Sequence, residues 1–353
     1  EVTMQEVALA EAEMRQSPAF GEAKHWYAQN FDCGDTFTPL IPDLEDAPSE
    51  ADQVRNIGIS REEVENFCKA NGIYKTTLFT AAYAYLLAKF NNEQESLFTT
   101  VYNGRTDKRF LHSVGMTVKT LPVYAKFTDE TSVSDFLKAV QEQMTGCREH
   151  DIYAYSDLME DLNLQSNSMF AWRGEMLDDN SLMGKPMNIT QLHNFTLNLP
   201  LCLMAYTSGG QYMLRAEYNS GEYSEALIAQ FMESYEAVLE GIITKANLHD
   251  VNITTASQIE LLDSFNQNDV SYDSTQTIVS LFRQQAEATP DNIAVVYKDK
   301  RLTYAEVDQI SDRIAGYIAS KGLGEEDVVS VLISRSEWMV IASLGVQKAG
   351  CAY

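Results

Sequence analysis

VYNGRTDKRFLHSVGMTVKTLPV, Val101 to Val123, does not read as generic core. An Asn-Gly-Arg triplet closes one apolar run, and Gly115 sits in a second that ends in Leu-Pro. A phosphate-cradling loop needs glycines spaced so that successive backbone N–H groups converge on an anion. Gly104 and Gly115 lie eleven residues apart, and neither G-x-x-x-x-G-K-[ST] nor G-x-G-x-x-G occurs in the chain. The stretch therefore predicts paired strands, 96–102 and 114–123, joined by a turn. Asn103-Gly104 supplies a corner of positive φ, and Arg105 is a permanently charged fork suited to tying a loop to carbonyls or a carboxylate.

Around it lie 353 residues, enough for two or three domains, with 45% apolar content to fill their cores. The formal net charge of -25 excludes nucleic acid and anionic membrane as natural partners. The acidity is uneven: residues 280–353 carry eight basic and ten acidic side chains, so nearly all the excess lies upstream. Cys33, Cys68, Cys147, Cys202 and Cys351 are scattered without a C-x-x-C pair. That pattern points to reduced thiols and a cytoplasmic protein, with no zinc site. No apolar run reaches the roughly 18 residues of a membrane span. The Asn-x-Thr sequons at Asn188, Asn194 and Asn252 read as accidental. Both ends look cut: Glu1 reads as lying inside a helix with Val7, Ala8, Ala10, Met14 and Phe20 on its apolar face, and Tyr353 stops where a strand or loop should continue.

From residue 1 to about 248 helices and strands alternate in an α/β manner. Ser60 with Glu63 makes a capping box for a helix that ends at Gly72. Thr76 or Thr77 opens an apolar helix to Phe90, and Ser132 or Ser134 caps another to about Arg148. Strands 197–206 and 211–218 flank a Thr-Ser-Gly-Gly turn, a hairpin signal, and Ser224 caps a helix to about Ile243. Residues 254–277 are polar, with one apolar cluster at Ile259, Leu261, Leu262 and Phe265, as in a linker with a small docking element. The last section predicts a helix over 280–288, short strands at 293–297 and 302–304, and a helix over 306–320. A buried strand over 328–333 and a final helix to about Lys348 complete it.

Catalytic residues are harder to find. No G-x-S-x-G elbow occurs, and none of the five histidines, His25, His112, His150, His193 and His249, has a partner at i+4. His25, beside Trp26 and Tyr27, reads as packing; His150 has acidic neighbours that favour its charged form. The residues that stand out, Asn103, Gly104, Arg105, Gly115, Lys119, Thr120 and His150, read as architecture. No catalytic, cofactor-binding or metal-binding residue is assigned.

Two groups of motifs resemble nonribosomal peptide synthetases. Val101-Tyr-Asn-Gly-Arg105 and Val114-Gly-Met-Thr-Val-Lys-Thr-Leu-Pro122 are similar to the N-G-R and V-G-x-x-V-N-T-L-P strands of a condensation domain's C-terminal lobe. Trp26-Tyr27, the helix 77–87, His150-Asp-Ile-Tyr-Ala-Tyr155 (similar to H-Q-x-Y-P-F) and Glu217-Tyr-Asn219 extend the likeness. Leu281-Phe282, Thr289-Pro290-Asp291, Leu302-Thr-Tyr-Ala-Glu-Val307 and Lys348-Ala-Gly-Cys-Ala-Tyr353 resemble the first motifs of an adenylation domain. Lys119 stands where that family has Asn, and Asp151 and Ala154 stand for Gln and Pro.

The resemblance implies a chloramphenicol-acetyltransferase-like α/β sandwich lobe over residues 1–250, a linker over 251–277, and over 278–353 a truncated α/β N-terminal piece of an adenylate-forming, acyl-CoA synthetase-like domain. It implies a fragment of a synthetase whose parent makes amide bonds between carrier-bound thioesters and activates an amino acid. Phosphopantetheine on carrier domains, ATP and Mg would be the parent's cofactors. Peptidyl carrier domains and the other condensation lobe, with its H-H-x-x-x-D-G motif, would be the partners. That motif is not in this sequence, and the phosphate loop would lie beyond Tyr353, so the fragment alone is expected to be inactive. A lobe without its mate should also expose apolar surface and associate. Two other readings remain: a carrier-binding or scaffolding module with degenerate chemistry, favoured by Lys119 and Asp151, and an acyl-CoA synthetase start fused to an unrelated α/β domain.

Overall fold

The structure, a computed structural model, describes residues 2–34, 36–105, 108–174, 181–182, 185–186 and 199–353. His193, the sequons at Asn188 and Asn194, and the start of the strand expected at 197 lie outside the described residues. Contacts divide the chain into two compact units, Glu1–Ser264 and Phe265–Tyr353.

The larger unit opens with α1 (Met4–Arg15) and α2 (Pro18–Asn30), separated at Ser17-Pro18, where proline takes the first turn of the second helix. The helix expected to be under way at Glu1 instead starts at Met4, because Thr3 and Glu6 form a capping box. There follow β1 (Glu50–Ile57), α3 (Arg61–Asn71), α4 (Lys75–Phe90), β2 (Glu95–Tyr102), β3 (Lys119–Lys126), α5 (Val133–Glu149), α6 (Tyr155–Leu162) and β4 (Ser168–Gly174). A two-residue ladder, β5 (Ser181–Leu182) with β6 (Lys185–Pro186), precedes the hairpin β7 (Leu201–Ser208) and β8 (Gln211–Asn219), then α7 (Glu225–Thr244) and α8 (Ala256–Phe265). Gly209 and Gly210 make the hairpin turn with φ of 58° and 79°, the two positive values a type I′ turn demands.

Among the described residues one six-stranded sheet runs in the order β1-β8-β7-β4-β2-β3. The pairs β7–β4 and β4–β2 are parallel and the rest antiparallel. Helix α4 packs on β2, β3 and β4 and lies between α5 and α7. Every residue from Thr77 to Ala88 is buried, which explains why its sequence is apolar on all sides and not along one stripe. Alternation sorts the strands: Leu203 and Ala205, with Tyr212, Leu214 and Ala216, join that core. Of the opposite parity, Arg215 pairs at 3.2 Å with both Asp52 and Glu217. Phe98 and Val123 face the α4 core, whereas their neighbours Leu97 and Tyr124 join a second cluster with Tyr27, Phe31, Tyr153 and Leu158. Helix α8 sits on α7, with Ser257 donating to Glu233 at 2.9 Å and Gln258 to Ser234 at 3.3 Å.

The smaller unit contains α9 (Ile278–Ala288), a hairpin of β9 (Ile293–Tyr297) and β10 (Lys300–Thr303), α10 (Tyr304–Ser320) and α11 (Trp338–Lys348). Leu-Thr-Tyr-Ala-Glu is a helix start: Thr303 caps α10 and Glu306 returns the bond as a capping box. Val307, Ile341 and Leu344 form the core with Phe282, Val295, Leu302 and Ile314 around them. The strand expected over 328–333 is absent. A strand needs a ladder, and Val328 finds only a bridge to Ala352, while Leu332 is 99% exposed.

Candidate functional site

The Asn-Gly-Arg stretch closes on itself. Gly104 has φ +62°, and a Cβ there would lie 1.9 Å from the Thr117 carbonyl oxygen, so both conformation and space demand glycine. The Arg105 guanidinium donates from Nη1 to the carbonyls of Phe110 (3.0 Å) and Ser113 (2.6 Å), and from Nη2 to that of Gly115 (3.4 Å). Asn103 accepts the Arg105 backbone N–H at 3.2 Å, and the Thr117 hydroxyl donates to the Asn103 carbonyl at 2.8 Å. Arg105 is thus a staple through carbonyls, one of the two roles its chemistry suggested. The strand expected from Val114 begins only at Lys119, because Arg105 holds 110–115 as a loop; Val114 is 93% and Met116 80% exposed. At Gly115 an added Cβ would press on the Met4 side chain at 2.3 Å, a looser demand than at Gly104.

Beyond the staple a cleft opens between α1, β3 and the connector from α5 to α6. It has two chambers of about 300 and 460 Å³ that share Glu11, Met14, Lys119, Asp151 and Ile152. Thr120 and Tyr155 line the first; Gly104 and Phe110 line the second. Lys119 donates from Nζ to Oδ1 of Asp151 (3.0 Å) and to its main-chain oxygen (3.1 Å). Burial pushes the Asp151 carboxyl up to about 6, helped by the Glu11 carboxylate, and burial pushes Lys119 down. Both shifts have the sign of desolvation, while the ionic contact works against them.

The connector and α6 (Tyr155–Leu162) are strapped down from the N-terminal helices. Arg15 holds Asp157 with a two-pronged contact at 2.8 and 2.9 Å, and Lys24 meets Asp161 at 2.8 Å. Phe20 packs on Tyr153, whose hydroxyl donates to Asp161. The His150 ring stacks on Trp26, centroids 4.6 Å apart and nearly parallel, with Nδ1 2.8 Å from the Gly146 carbonyl. His150 is therefore packing. His25, expected to pack, is exposed, and the buried member of its neighbourhood is Tyr27. The structure thus gathers Gly104, Lys119 and Thr120 at the cleft, and places Asn103, Arg105 and Gly115 in the staple and His150 behind the connector. The sequence reading missed α1 as a cleft wall and Asp157 and Asp161 as anchors. Their only signal was a carboxylate pair at i, i+4 opposite two distant basic residues.

A Cβ at Gly146 would lie 2.1 Å from the Trp26 ring. Gly146→Ala gains about 1 kcal/mol of helix propensity but displaces a stacked indole, and overpacking of this kind costs about 1–3 kcal/mol. The expected net effect is a loss of stability and a red-shifted Trp26 emission, measured by urea unfolding and fluorescence. Asp151 gives the lobe a pH dependence as well. It faces Glu11 and Arg15 from α1, Lys119 from β3, Arg148 and Glu149 from α5 and Tyr155 from α6. With its folded pKa near 6, above the ordinary 3.8, the fold holds a proton that the unfolded chain releases. This contribution is present at pH 4 and is lost as pH rises through 6. The pH profile of unfolding for Asp151→Asn, subtracted from wild type, should show that slope, on the order of 1–3 kcal/mol across the window.

The larger unit is thus a six-stranded mixed sheet with helices packed on it, a stapled β2–β3 loop and a cleft beside that loop. The condensation domain family model matches residues 2–262, and the chain belongs to that family; the AMP-binding enzyme model matches residues 282–353. A linear gramicidin synthase of Brevibacillus parabrevis is 31% identical over 304 residues, 81% of this chain and 6% of that protein. Bacitracin synthase 3 of Bacillus licheniformis is 26% identical over 303 residues, 83% of this chain and 5% of that one. The chain thus spans only a small part of the length of these relatives. A crystal structure of a four-domain nonribosomal peptide synthetase, bound to AMP and glycine, superposes with a TM-score of 0.75 at 18% identity, covering 96% of this chain and 28% of that one. The first condensation domain of the calcium-dependent antibiotic synthetase gives 0.60 at 16%, covering 70% and 56%. No helix among the described residues is long and apolar enough to cross a membrane.

Proposed function

We propose that this chain is a working part of a nonribosomal peptide synthetase module: a condensation lobe over 1–250, a linker over 251–277 that contains α8, and the first portion of an adenylation domain over 278–353. The observation that carries the reading is the succession of the two family matches, 2–262 then 282–353, in one chain. In the parent, carrier domains would bring phosphopantetheine-bound thioesters to the cleft beside Lys119 and Thr120. The cleft suits such an arm in chemistry, since Met14, Val118 and Ile152 offer apolar walls and Thr120 and Lys119 offer polar groups. Its contribution is to orient acyl donor and amine so that amide formation becomes effectively unimolecular. Amino-acid activation with ATP and Mg belongs to the adenylation part, and residues 282–353 contain no phosphate-cradling glycine motif through which a step could be drawn. Cytoplasmic location is part of the same reading, in keeping with five free cysteines.

The test compares this chain alone with the same chain joined to a lobe bearing H-H-x-x-x-D-G, each given two loaded carriers. Amide product is expected only from the joined protein. Product from the 353 residues alone overturns the proposal, and carrier binding without product from the joined protein favours a scaffolding module.

A further inference from the structure

We propose that Lys119 and Asp151 are a matched pair of positioning residues that locks the 150–155 connector against β3 at the partition between the two chambers. The two residues lie 32 apart in sequence, Lys119 at the start of β3 and Asp151 in the connector, and their oppositely charged side chains meet at 3.0 Å. Each would be costly alone: Lys119 is 23% and Asp151 12% exposed, and an ion held so far from water needs a partner.

The geometry is that of a positioner. Lys119 takes both Oδ1 and the main-chain oxygen of Asp151, so it fixes the backbone of the connector as well as the side chain. Ile152, Ala154 and Tyr155, which follow directly, line the cleft. Both partners line both chambers, so the pair stands where the chambers meet. The main-chain bond also explains why lysine and not a shorter side chain suits β3 here: the donor must leave the strand edge and reach the connector. One oxygen of Asp151, Oδ2, is buried without a hydrogen-bond partner among the described residues, so the carboxylate depends on Lys119 for its ionic partner. A connector fixed in this way keeps the cleft in shape for condensation; that last clause rests on the proposed function, while the pairing does not.

The experiment is a double-mutant cycle in the 353-residue chain with Lys119→Asn, Asp151→Gln and the double variant, which replaces both ions by neutral amides. Urea unfolding of the larger unit, with Trp26 emission reporting the connector through its His150 stack, supplies the readout. Each single variant is expected to lower the folding equilibrium constant about tenfold and to shift Trp26 emission. The double is expected to recover most of both, a coupling of about tenfold. Effects that multiply independently, with coupling within about twofold of unity, overturn the pair, as does a double worse than either single. Should both singles fail to fold, the double decides: a folded double sustains the pair and an unfolded one overturns it. The same variants in a full-length synthetase read the functional clause. Singles with lowered kcat at unchanged KM, rescued in the double, support it; unaltered turnover beside a strong stability coupling leaves the pair standing and removes the condensation role.

Discussion

Phe79→Ala is expected to destabilise the larger unit by about 3–5 kcal/mol, the usual cost of emptying a fully buried aromatic site. Phe79 has no exposure, stacks on Trp172 at 4.4 Å and leans on Tyr212 at 5.1 Å. Its carbonyl accepts the buried Tyr235 hydroxyl at 2.9 Å, so α7 hangs from the same turn of α4. Loss of the ring removes contacts to β4 and β8 at once, and neither strand can close the space without dragging the sheet. Urea unfolding followed through Trp172 emission measures it. A loss below about 1 kcal/mol would mean that α4 is not the keystone its burial indicates.

Lys348→Ala is expected to cost the smaller unit about 2–3 kcal/mol, less than a fully buried pair because its two carboxylate partners keep some water. The Lys348 side chain has no exposure; its ammonium reaches Asp308 at 2.5 Å and Asp312 at 2.9 Å and lies over the Phe282 ring. Asp308 and Asp312 are 28% and 48% exposed, which sets the discount. The ammonium holds the Asp312 carboxyl below its ordinary value. That stability is present above the ordinary carboxylate pKa and is lost as pH falls through the lowered one, so the penalty of the substitution should shrink in acid. Hydrogen exchange in α10 and α11 of the whole chain reads the effect. Unchanged protection would show that the apolar core carries the unit without its ion cluster.

Elements with a strong local pattern were legible from sequence. The capping box at Ser60 and the Gly209-Gly210 hairpin appear where turn chemistry puts them, and the apolar helix expected to open at Thr76 or Thr77 starts at Lys75, after Tyr74, without a side-chain cap. What escaped had no such pattern. β1, Glu-Ala-Asp-Gln-Val-Arg-Asn-Ile, is an edge strand whose mostly exposed side chains leave no alternation, and it exists because β8 pairs with it. Val114–Val118 alternates like a strand although its side chains are exposed; the Arg105 staple overrides local propensity there. At the site, Gly104 and Arg105 announced their roles through backbone chemistry. The Lys119–Asp151 and Arg15–Asp157 contacts, 32 and 142 residues apart, could be found only in three dimensions.

The place of β1 has a consequence during synthesis. Gln53 of β1 donates to Tyr218 of β8 across 165 residues, so the sheet cannot close until the second half of the lobe has been made. At ordinary ribosomal speeds that gap lasts on the order of 10–30 s. Throughout it β1 lacks its neighbour β8, and α4 carries its all-round apolar surface with half its cover unmade. The nascent lobe is therefore most exposed to aggregation between α4 and β8, and chaperone capture of ribosome-bound chains should peak there and fall once the Gly-Gly hairpin emerges.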